Sequence, residues 1–156
     1  NFFQIFYDKN ITLNIGEYSG KVYIDYEAFM VSIYQILENA EKYVKRDSDI
    51  NISFVENNKF VEISIEMISV KIHDHELGKL SQEYFRGDEA KKLTDSGDGI
   101  GMHIIQKALQ QNKSVLIIEN NLDNVVLSHA GIKYEKNRFT IKLPLFVDGE
   151  IKSSYV

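Results

Sequence analysis

The hydrophobic and polar residues change period along the first half of the chain, and those changes predict its secondary structure. Apolar and polar side chains alternate, as in half-buried strands, over Ile11–Ile15, Lys21–Ile24, Ile50–Val55 and Phe60–Ile68. Residues 26–46 instead carry apolar side chains three and four positions apart, which indicates an amphipathic helix with Asp25 as its N-cap. Glu56–Lys59 then predicts a hairpin turn between the last two strands.

The second half of the chain begins with a polar stretch and ends in strands. Residues 73–96 have few apolar anchors and predict a long loop with short helical pieces, of the kind that forms a lid. A helix follows from near Gly99 to about Gln111, then the predicted strands Ser114–Glu119, Val125–Leu127 and Arg138–Leu143, the last ended by Pro144. Strands in groups with few helices predict an α+β fold: a two-layer α/β sandwich whose helices lie on one face of a mixed, mostly antiparallel sheet.

Composition and net charge limit the class of protein and the kind of partner. The 156 residues are 44% hydrophobic and 26% charged, which fits one globular domain over residues 1–156. The chain does not begin with methionine, so we expect a fragment of a longer protein. It has no cysteine and no apolar run long enough to span a bilayer, so we expect a cytoplasmic location without membrane contact by this fragment, or the cytoplasmic part of a membrane-bound sensor. The net charge of −5 argues against nucleic acid as a partner but permits a small polyanion in a local pocket.

Gly97-Asp98-Gly99-Ile100-Gly101 stands directly before the second predicted helix. Glycines allow a close backbone approach, and a helix start offers unpaired N–H groups, so this turn suits phosphate. A plain loop-to-helix joint gives the same pattern. A Rossmann site is excluded because no strand leads into the turn, and a P-loop because the Gly-Lys-Ser/Thr ending is missing.

A polar stripe runs along the first helix. Gln35, Asn39 and Lys42 or Tyr43 lie on successive turns, where a solvated face is the alternative explanation. The amide oxygen of Asn39 can bind magnesium, the Lys42 ammonium can reach a phosphate, and the Tyr43 ring can stack on a base.

These elements together resemble the histidine-kinase branch of the GHKL ATPases, the superfamily with the Bergerat fold. Leu37–Tyr43 is similar to the N box, Tyr84–Gly87 to the F box, Gly97–Met102 to the second glycine box, and Phe139–Pro144 to the closing strand. The motifs occur in the family's order and cover nearly the whole chain.

The resemblance implies ATP and magnesium as cofactors and assigns a role to each motif. Asn39 would hold magnesium, Lys42 would contact phosphate and Tyr43 would lie near the nucleotide. The backbone at Gly97, Gly99 and Gly101 would line the phosphates, with Ile100 and Met102 packing beneath the lid. Phe85 would anchor that lid, and Arg86 would either approach the γ-phosphate or remain an exposed lid arginine.

Two departures from the family pattern concern the base and the hydrolytic water. The adenine-reading acid and the glycine two residues after it correspond to Met67 and Ser69 here, counted back from Ile72, although Asp74 lies close enough for a shifted register. A methionine cannot accept a hydrogen bond of useful strength. At position 35, Gln35 replaces the glutamate of the hydrolysing branches and cannot act as a base, so self-contained ATP hydrolysis is not expected.

The histidines receive simpler interpretations. His73-Asp74-His75-Glu76 could bind a metal, but a polar lid explains the segment more simply. His103 follows the glycine turn, where the helix dipole disfavours protonation, and we expect a surface side chain. It is not the phosphorylated histidine, which in the family resides in a separate domain. His129 has no evident partner in the sequence.

The expected function is therefore the catalytic domain of a sensor histidine kinase, with catalytic roles for Asn39, Lys42 and Arg86. It would bind Mg-ATP and present the γ-phosphate to a histidine on an upstream dimerisation domain. That domain and a response regulator are the expected protein partners. Two alternatives stay open. One is a degenerate regulatory module with weak or no nucleotide binding, motivated by Met67 and Ser69. The other is a GHKL serine kinase of the anti-sigma type.

Overall fold

The computed structural model describes residues 2–145, in which helices pack on a mixed six-stranded sheet. The expected domain over residues 1–156 therefore includes positions, 1 and 146–156, that lie outside the described residues. The elements in chain order are α1 (Phe2–Asp8), β1 (Ile11–Ile15), α2 (Tyr26–Tyr43), β2 (Ser48–Glu56), β3 (Phe60–Val70), a 3-10 helix (Asp74–Lys79), α3 (Asp88–Leu93), α4 (Gly101–Gln111), β4 (Val115–Glu119), β5 (Val126–His129) and β6 (Ile132–Pro144).

The sheet has the order β1-β2-β3-β6-β4, and β5 pairs with the first residues of β6. Only β1 and β2 run parallel; the other pairs among the described strands are antiparallel. The predicted α+β class and mostly antiparallel sheet are confirmed. Strand β6 can pair with three others because it is long: β4 pairs with its second half, β5 with its first, and β3 along its length.

The hydrophobic core lies between the sheet and the helices. Every second residue of β3 is buried on the helix side, ending in Met67 and Ser69. Ile36 and Ala40 of α2 and Ile105 and Leu109 of α4 fill the opposite layer, each 2% exposed or less. Burying one such aliphatic side chain contributes roughly 1.5–3 kcal/mol. The apolar stripe that predicts α2 is therefore the stripe that fixes the helix on the sheet.

The predicted strand Lys21–Ile24 is wrong. This segment has no regular structure, although Val22 and Ile24 pack against the core. Four alternating residues report which side chains are buried, but a strand also needs a neighbour with free backbone groups. Residues 21–24 pair with none of the described strands.

The ends of two helices differ from the predicted ones because of the local backbone conformation. Helix α2 ends at Tyr43 rather than residue 46, because Val44 adopts extended backbone and bridges Ser69. Helix α4 starts at Gly101 because Gly99 has a φ of +72°, which is outside the helical region. The sequence pattern did not predict α1, whose seven residues bury only Phe6 fully.

Candidate functional site

Helix α2 presents its polar stripe to a cavity. The Asp25 carboxylate accepts a hydrogen bond from the Ala28 N–H at 2.9 Å, which confirms the predicted N-cap and starts the helix. Because Ile36 and Ala40 face the sheet, the amides of Gln35 and Asn39 point towards α4. The Lys42 ammonium lies farther along and pairs with Glu38 at 2.8 Å.

The glycine turn approaches this stripe closely. A Cβ on Gly101 would lie 3.0 Å from Gln35 Oε1 and 3.5 Å from Asn39 Oδ1, so the absent side chain makes room for both amide oxygens. Ile100, the N-cap of α4, offers no side-chain hydrogen bond to the helix start. The first N–H groups of this 11-residue helix therefore remain available to an anion. Asn39 Nδ2 contacts the Met102 sulfur at 3.5 Å.

Gly99 and Gly97 shape the rest of the turn. Gly99 has a φ of +72°, and a Cβ there would lie 2.7 Å from the carbonyl oxygen of Phe85. Glycine is thus required at this position both by the backbone conformation and by the lid packed against it. Gly97 has a φ of +110° and leaves the Tyr43 hydroxyl 3.8 Å from the position of a Cβ. The turn therefore bridges α2 and the lid.

The floor of the cavity is the end of β3. Met67 and Ser69 are both 4% exposed and line the cavity, and Ile72 is 8% exposed just beyond the strand. The Ser69 hydroxyl contacts Asn137 Nδ2 at 2.9 Å. The Lys71 ammonium pairs at 3.0 Å with the buried carboxylate of Glu135, the residue opposite Ser69 in the pairing of β3 with β6.

The lid is built on two buried glutamates. Glu76 is 2% exposed, and its carboxylate accepts hydrogen bonds from the His73 N–H at 2.9 Å and the Asp88 N–H at 2.8 Å. Glu89 is 1% exposed and accepts from the Lys133 N–H at 2.9 Å. Each carboxylate thus satisfies backbone donors that are far apart in the chain, which ties the lid to itself and to β6.

The electrostatics of Glu89 favour its charged form. Burial raises the pKa of Glu89, but hydrogen bonds from Lys92 and from the Lys133 N–H outweigh burial and hold the pKa below its ordinary value. The Lys92 ammonium lies 2.7 Å from Glu89. The second lid anchor is therefore a carboxylate at neutral pH.

Arg86 lies between the cavity and the end of α3. Its guanidinium is half-buried and donates to the carbonyls of Ala90, Thr94 and Asp95, at the end of α3. Orphan carbonyls at a helix end attract a cation, which explains the arrangement. Arg86 lines the cavity, but its hydrogen bonds hold the lid helix.

The histidines of the lid region need no metal. His75, Glu76 and Asp88 have ligand atoms within 4.8 Å of one another. However, both Glu76 oxygens already accept backbone hydrogen bonds, which accounts for the burial of that residue. His103, expected at the surface, is partly buried: its ring contacts the Ser81 carbonyl at 3.2 Å and Glu83 at 3.3 Å, because the lid folds over the start of α4. His129 is exposed at the end of β5.

All predicted site residues meet in a single cavity of about 280 Å³. Its lining includes every residue expected at the nucleotide: Gln35, Asn39, Lys42, Tyr43, Met67, Ser69, Ile72, Phe85, Arg86, Gly97, Gly99, Ile100, Gly101 and Met102. Glu76, Leu80 and Phe139 also line the cavity, although the sequence did not predict them as nucleotide-site residues. Nothing in the local pattern distinguished Glu76, because its partners lie on separate lid segments.

Comparison with solved structures shows which fold this is. The chain superposes on the mycobacterial sensor histidine kinase MprB with a TM-score of 0.73 and 14% identity, covering 91% of this chain and 89% of that one. It also superposes on full-length ShkA in complex with AMPPNP with a TM-score of 0.67 and 12% identity, covering 91% of this chain and 27% of that one. The fold is that of histidine-kinase catalytic domains.

Sequence relatives point to the same class. The chain is 24% identical over 98 residues to the probable sensor kinase SilS of Salmonella typhimurium, covering 63% of this chain and 20% of the relative. It is 30% identical over 94 residues to the histidine-protein kinase ArlS of Staphylococcus haemolyticus, covering 56% of this chain and 19% of the relative. The resemblance to the histidine-kinase branch of the GHKL superfamily is confirmed. The chain spans about a fifth of the length of these curated relatives.

Two further findings concern protein-family models and membrane-spanning helices. No protein-family model matches the chain. Within residues 2–145, no helix combines the length and apolar character that a bilayer span requires.

Proposed function

We propose that this chain is the ATP-binding catalytic domain of a sensor histidine kinase. It binds Mg-ATP and presents the γ-phosphate to a histidine on a separate dimerisation domain, which in turn serves a response regulator. One observation carries the proposal: residues from α2, β3, the lid and the glycine turn, each expected at the nucleotide, line the same cavity. The domain is expected to act in the cytoplasm as part of a longer protein.

The donor groups in the cavity fit magnesium and triphosphate. The amide oxygens of Gln35 and Asn39 face the start of α4, and oxygen is the ligand that magnesium takes. Magnesium supplies charge neutralisation across the phosphate oxygens. Asn39 would hold the ion, because its oxygen faces the start of α4 and it lies one turn of α2 closer to Lys42 than Gln35 does.

The other residues position and neutralise rather than react. The free N–H groups of α4 and the backbone at Gly97 and Gly99 suit the phosphates. Lys42 supplies a positive charge, which it shares with Glu38 at 2.8 Å. Positioning and charge neutralisation are the main demands of phosphoryl transfer, so this function does not depend on a general base in the cavity.

Calorimetry with and without magnesium tests the nucleotide site. We expect the wild-type domain to bind ATP more tightly with magnesium, and Asn39→Ala to remove that dependence because the ion loses its ligand. Asn51→Ala is the matched control, since Asn51 lies on the exposed side of β2 and contacts Asn14 at 2.9 Å. An unchanged magnesium dependence in folded Asn39→Ala contradicts the assignment of the metal.

Met67 favours a second candidate, a regulatory module without nucleotide. Its thioether occupies the floor where an acceptor is expected, so adenine recognition has lost a partner. Absence of any binding heat or thermal shift with millimolar Mg-ATP would favour this module. Transfer of γ-phosphate to a histidine in the longer protein would exclude it.

A further inference from the structure

The cavity floor offers a hydrogen-bond donor where a nucleotide base would lie. The phosphate-binding groups cluster at the glycine turn, so the base falls towards the other end of the cavity, which is lined by Met67, Ser69, Val70, Ile72 and Leu80. Four of these five side chains are hydrocarbon or thioether. Lys71 and Glu76 also line the cavity, but the Lys71 ammonium pairs with Glu135 at 3.0 Å and both Glu76 oxygens accept backbone hydrogen bonds, so we consider the Ser69 hydroxyl.

The hydrogen bonds of Asn137 determine what Ser69 can do. The buried Asn137 Oδ1 accepts from the Asn121 N–H at 3.3 Å, and Nδ2 donates to the Val70 carbonyl at 3.2 Å and to Ser69 Oγ at 2.9 Å. Backbone partners fix which end of the amide is the donor. Both Nδ2 hydrogens are then used, and Ser69 is the acceptor in its bond with Asn137.

The Ser69 hydroxyl hydrogen is consequently left for the cavity. A hydroxyl has one hydrogen to donate, and Asn137 can accept it only at an oxygen that already faces Asn121. Acceptors nearby already have donors: the Ile68 carbonyl has the Lys45 N–H at 2.8 Å, and the Val70 carbonyl has Asn137 at 3.2 Å. The Glu135 carboxylate, opposite Ser69 in the pairing of β3 with β6, accepts from Lys71 Nζ at 3.0 Å and from the Ile72 N–H at 2.9 Å. A buried donor is costly to leave without a partner, so it favours a ligand that offers an acceptor.

Met67 determines how well the cavity floor can accept a hydrogen bond. It is 4% exposed on the same face of β3, two residues before Ser69, and its sulfur is a weak acceptor. The exocyclic amino group of a base gains little from such a neighbour. Met67 therefore adds no useful acceptor to the floor, and the donor that the floor offers to a base is the Ser69 hydroxyl.

We propose that Ser69 is the specificity-determining residue of this site and recognises a ring nitrogen of the base by donating a hydrogen bond, independently of any exocyclic amino group. This inference rests on the proposed nucleotide-binding function. The expected ligand class is a purine nucleoside triphosphate with an unprotonated ring nitrogen facing β3, whether or not its base carries a 6-amino group.

Analogues of ATP test the inference without altering the protein. By calorimetry with magnesium, we expect ATP and purine riboside triphosphate, which lacks the 6-amino group, to bind within about threefold of each other. One of the 1-, 3- and 7-deaza analogues of ATP loses the acceptor that faces Ser69, and its affinity falls at least about fivefold. Equal affinity for all three deaza analogues overturns the inference, as does a loss of more than tenfold with purine riboside triphosphate.

Variants assign the effect to the two residues. In Ser69→Ala, the penalty of the sensitive deaza analogue disappears, while binding of inorganic tripolyphosphate is unchanged. In Met67→Asp, a new acceptor makes ATP bind at least about tenfold more tightly than purine riboside triphosphate. Ser64→Ala is the control, because its hydroxyl contacts Thr140 at 3.1 Å on the other face of β3.

The outcomes separate this inference from the proposed function. If wild type binds ATP and discriminates strongly through the amino group, nucleotide binding stands and the role of Ser69 is wrong. If Ser69→Ala weakens tripolyphosphate as much as ATP, its effect is structural and the inference is wrong. If neither tripolyphosphate nor any nucleotide binds, both are wrong.

Discussion

The buried Glu76 carboxylate gives a sharp test of how the lid is held. It accepts from the His73 N–H at 2.9 Å and from the Asp88 N–H at 2.8 Å, and thereby joins the 3-10 helix to α3. Gly87 makes room for it, since a Cβ there would lie 3.2 Å from Oε2. Glu76→Gln preserves the size of the side chain but replaces one acceptor with an N–H₂ group. One backbone N–H then has no acceptor.

The expected cost follows from that single unpaired donor. An unsatisfied buried donor costs about 1–3 kcal/mol. That free energy corresponds to a roughly 5- to 150-fold increase in lid opening, because each 1.4 kcal/mol is about a factor of ten. Hydrogen exchange measures the opening directly: the amides of α3 and the 3-10 helix should exchange faster by this factor, while those of β3 are protected as in wild type.

The matched control is Glu83→Gln. Glu83 is also a lid carboxylate, but its side chain is 57% exposed and contacts only the His103 ring, at 3.3 Å. Its substitution should leave exchange in the lid within about twofold of wild type, since an exposed pair contributes little. The reasoning is refuted if Glu76→Gln leaves exchange in α3 unchanged, or if it accelerates exchange equally in β3.

Two further predictions concern stability and its relation to binding. Gly101→Ala places a Cβ 3.0 Å from Gln35 Oε1, so calorimetry should show weaker Mg-ATP binding while the melting temperature stays equal or rises, since alanine is the better helix former by up to about 1 kcal/mol. A lowered melting temperature with intact binding would contradict this. Because the pKa of Glu89 is depressed on folding, its charge stabilises the fold above the ordinary carboxyl pKa and that contribution is lost as pH falls towards the folded pKa. Thermal melts of Glu89→Gln should therefore show a deficit against wild type at pH 7 that shrinks at pH 3, and a constant deficit would show that charge plays no part.

The sequence by itself determined the elements whose physics is local. The 3.6-residue period placed Asn39 and Lys42 on the stripe opposite the buried Ile36 and Ala40. The glycine turn was recognisable because positive φ and close approach both require glycine, as Gly99 shows. These features depend on residues within one or two turns along the chain, so the local sequence is enough to predict them.

Only the tertiary structure decided what the polar groups face. The direction of the Ser69 hydroxyl depends on Asn137, which is 68 residues away in the chain. Arg86 turned to the end of α3, and Glu76 found donors on both sides of the lid, because buried polar groups take whichever partners the fold brings within reach. The segment Lys21–Ile24 packs Val22 and Ile24 against the core without pairing with any described strand, because burial of alternate side chains does not require a strand. Alternation and period fix which side chains are buried, whereas hydrogen-bond partners are fixed by residues that meet only after folding.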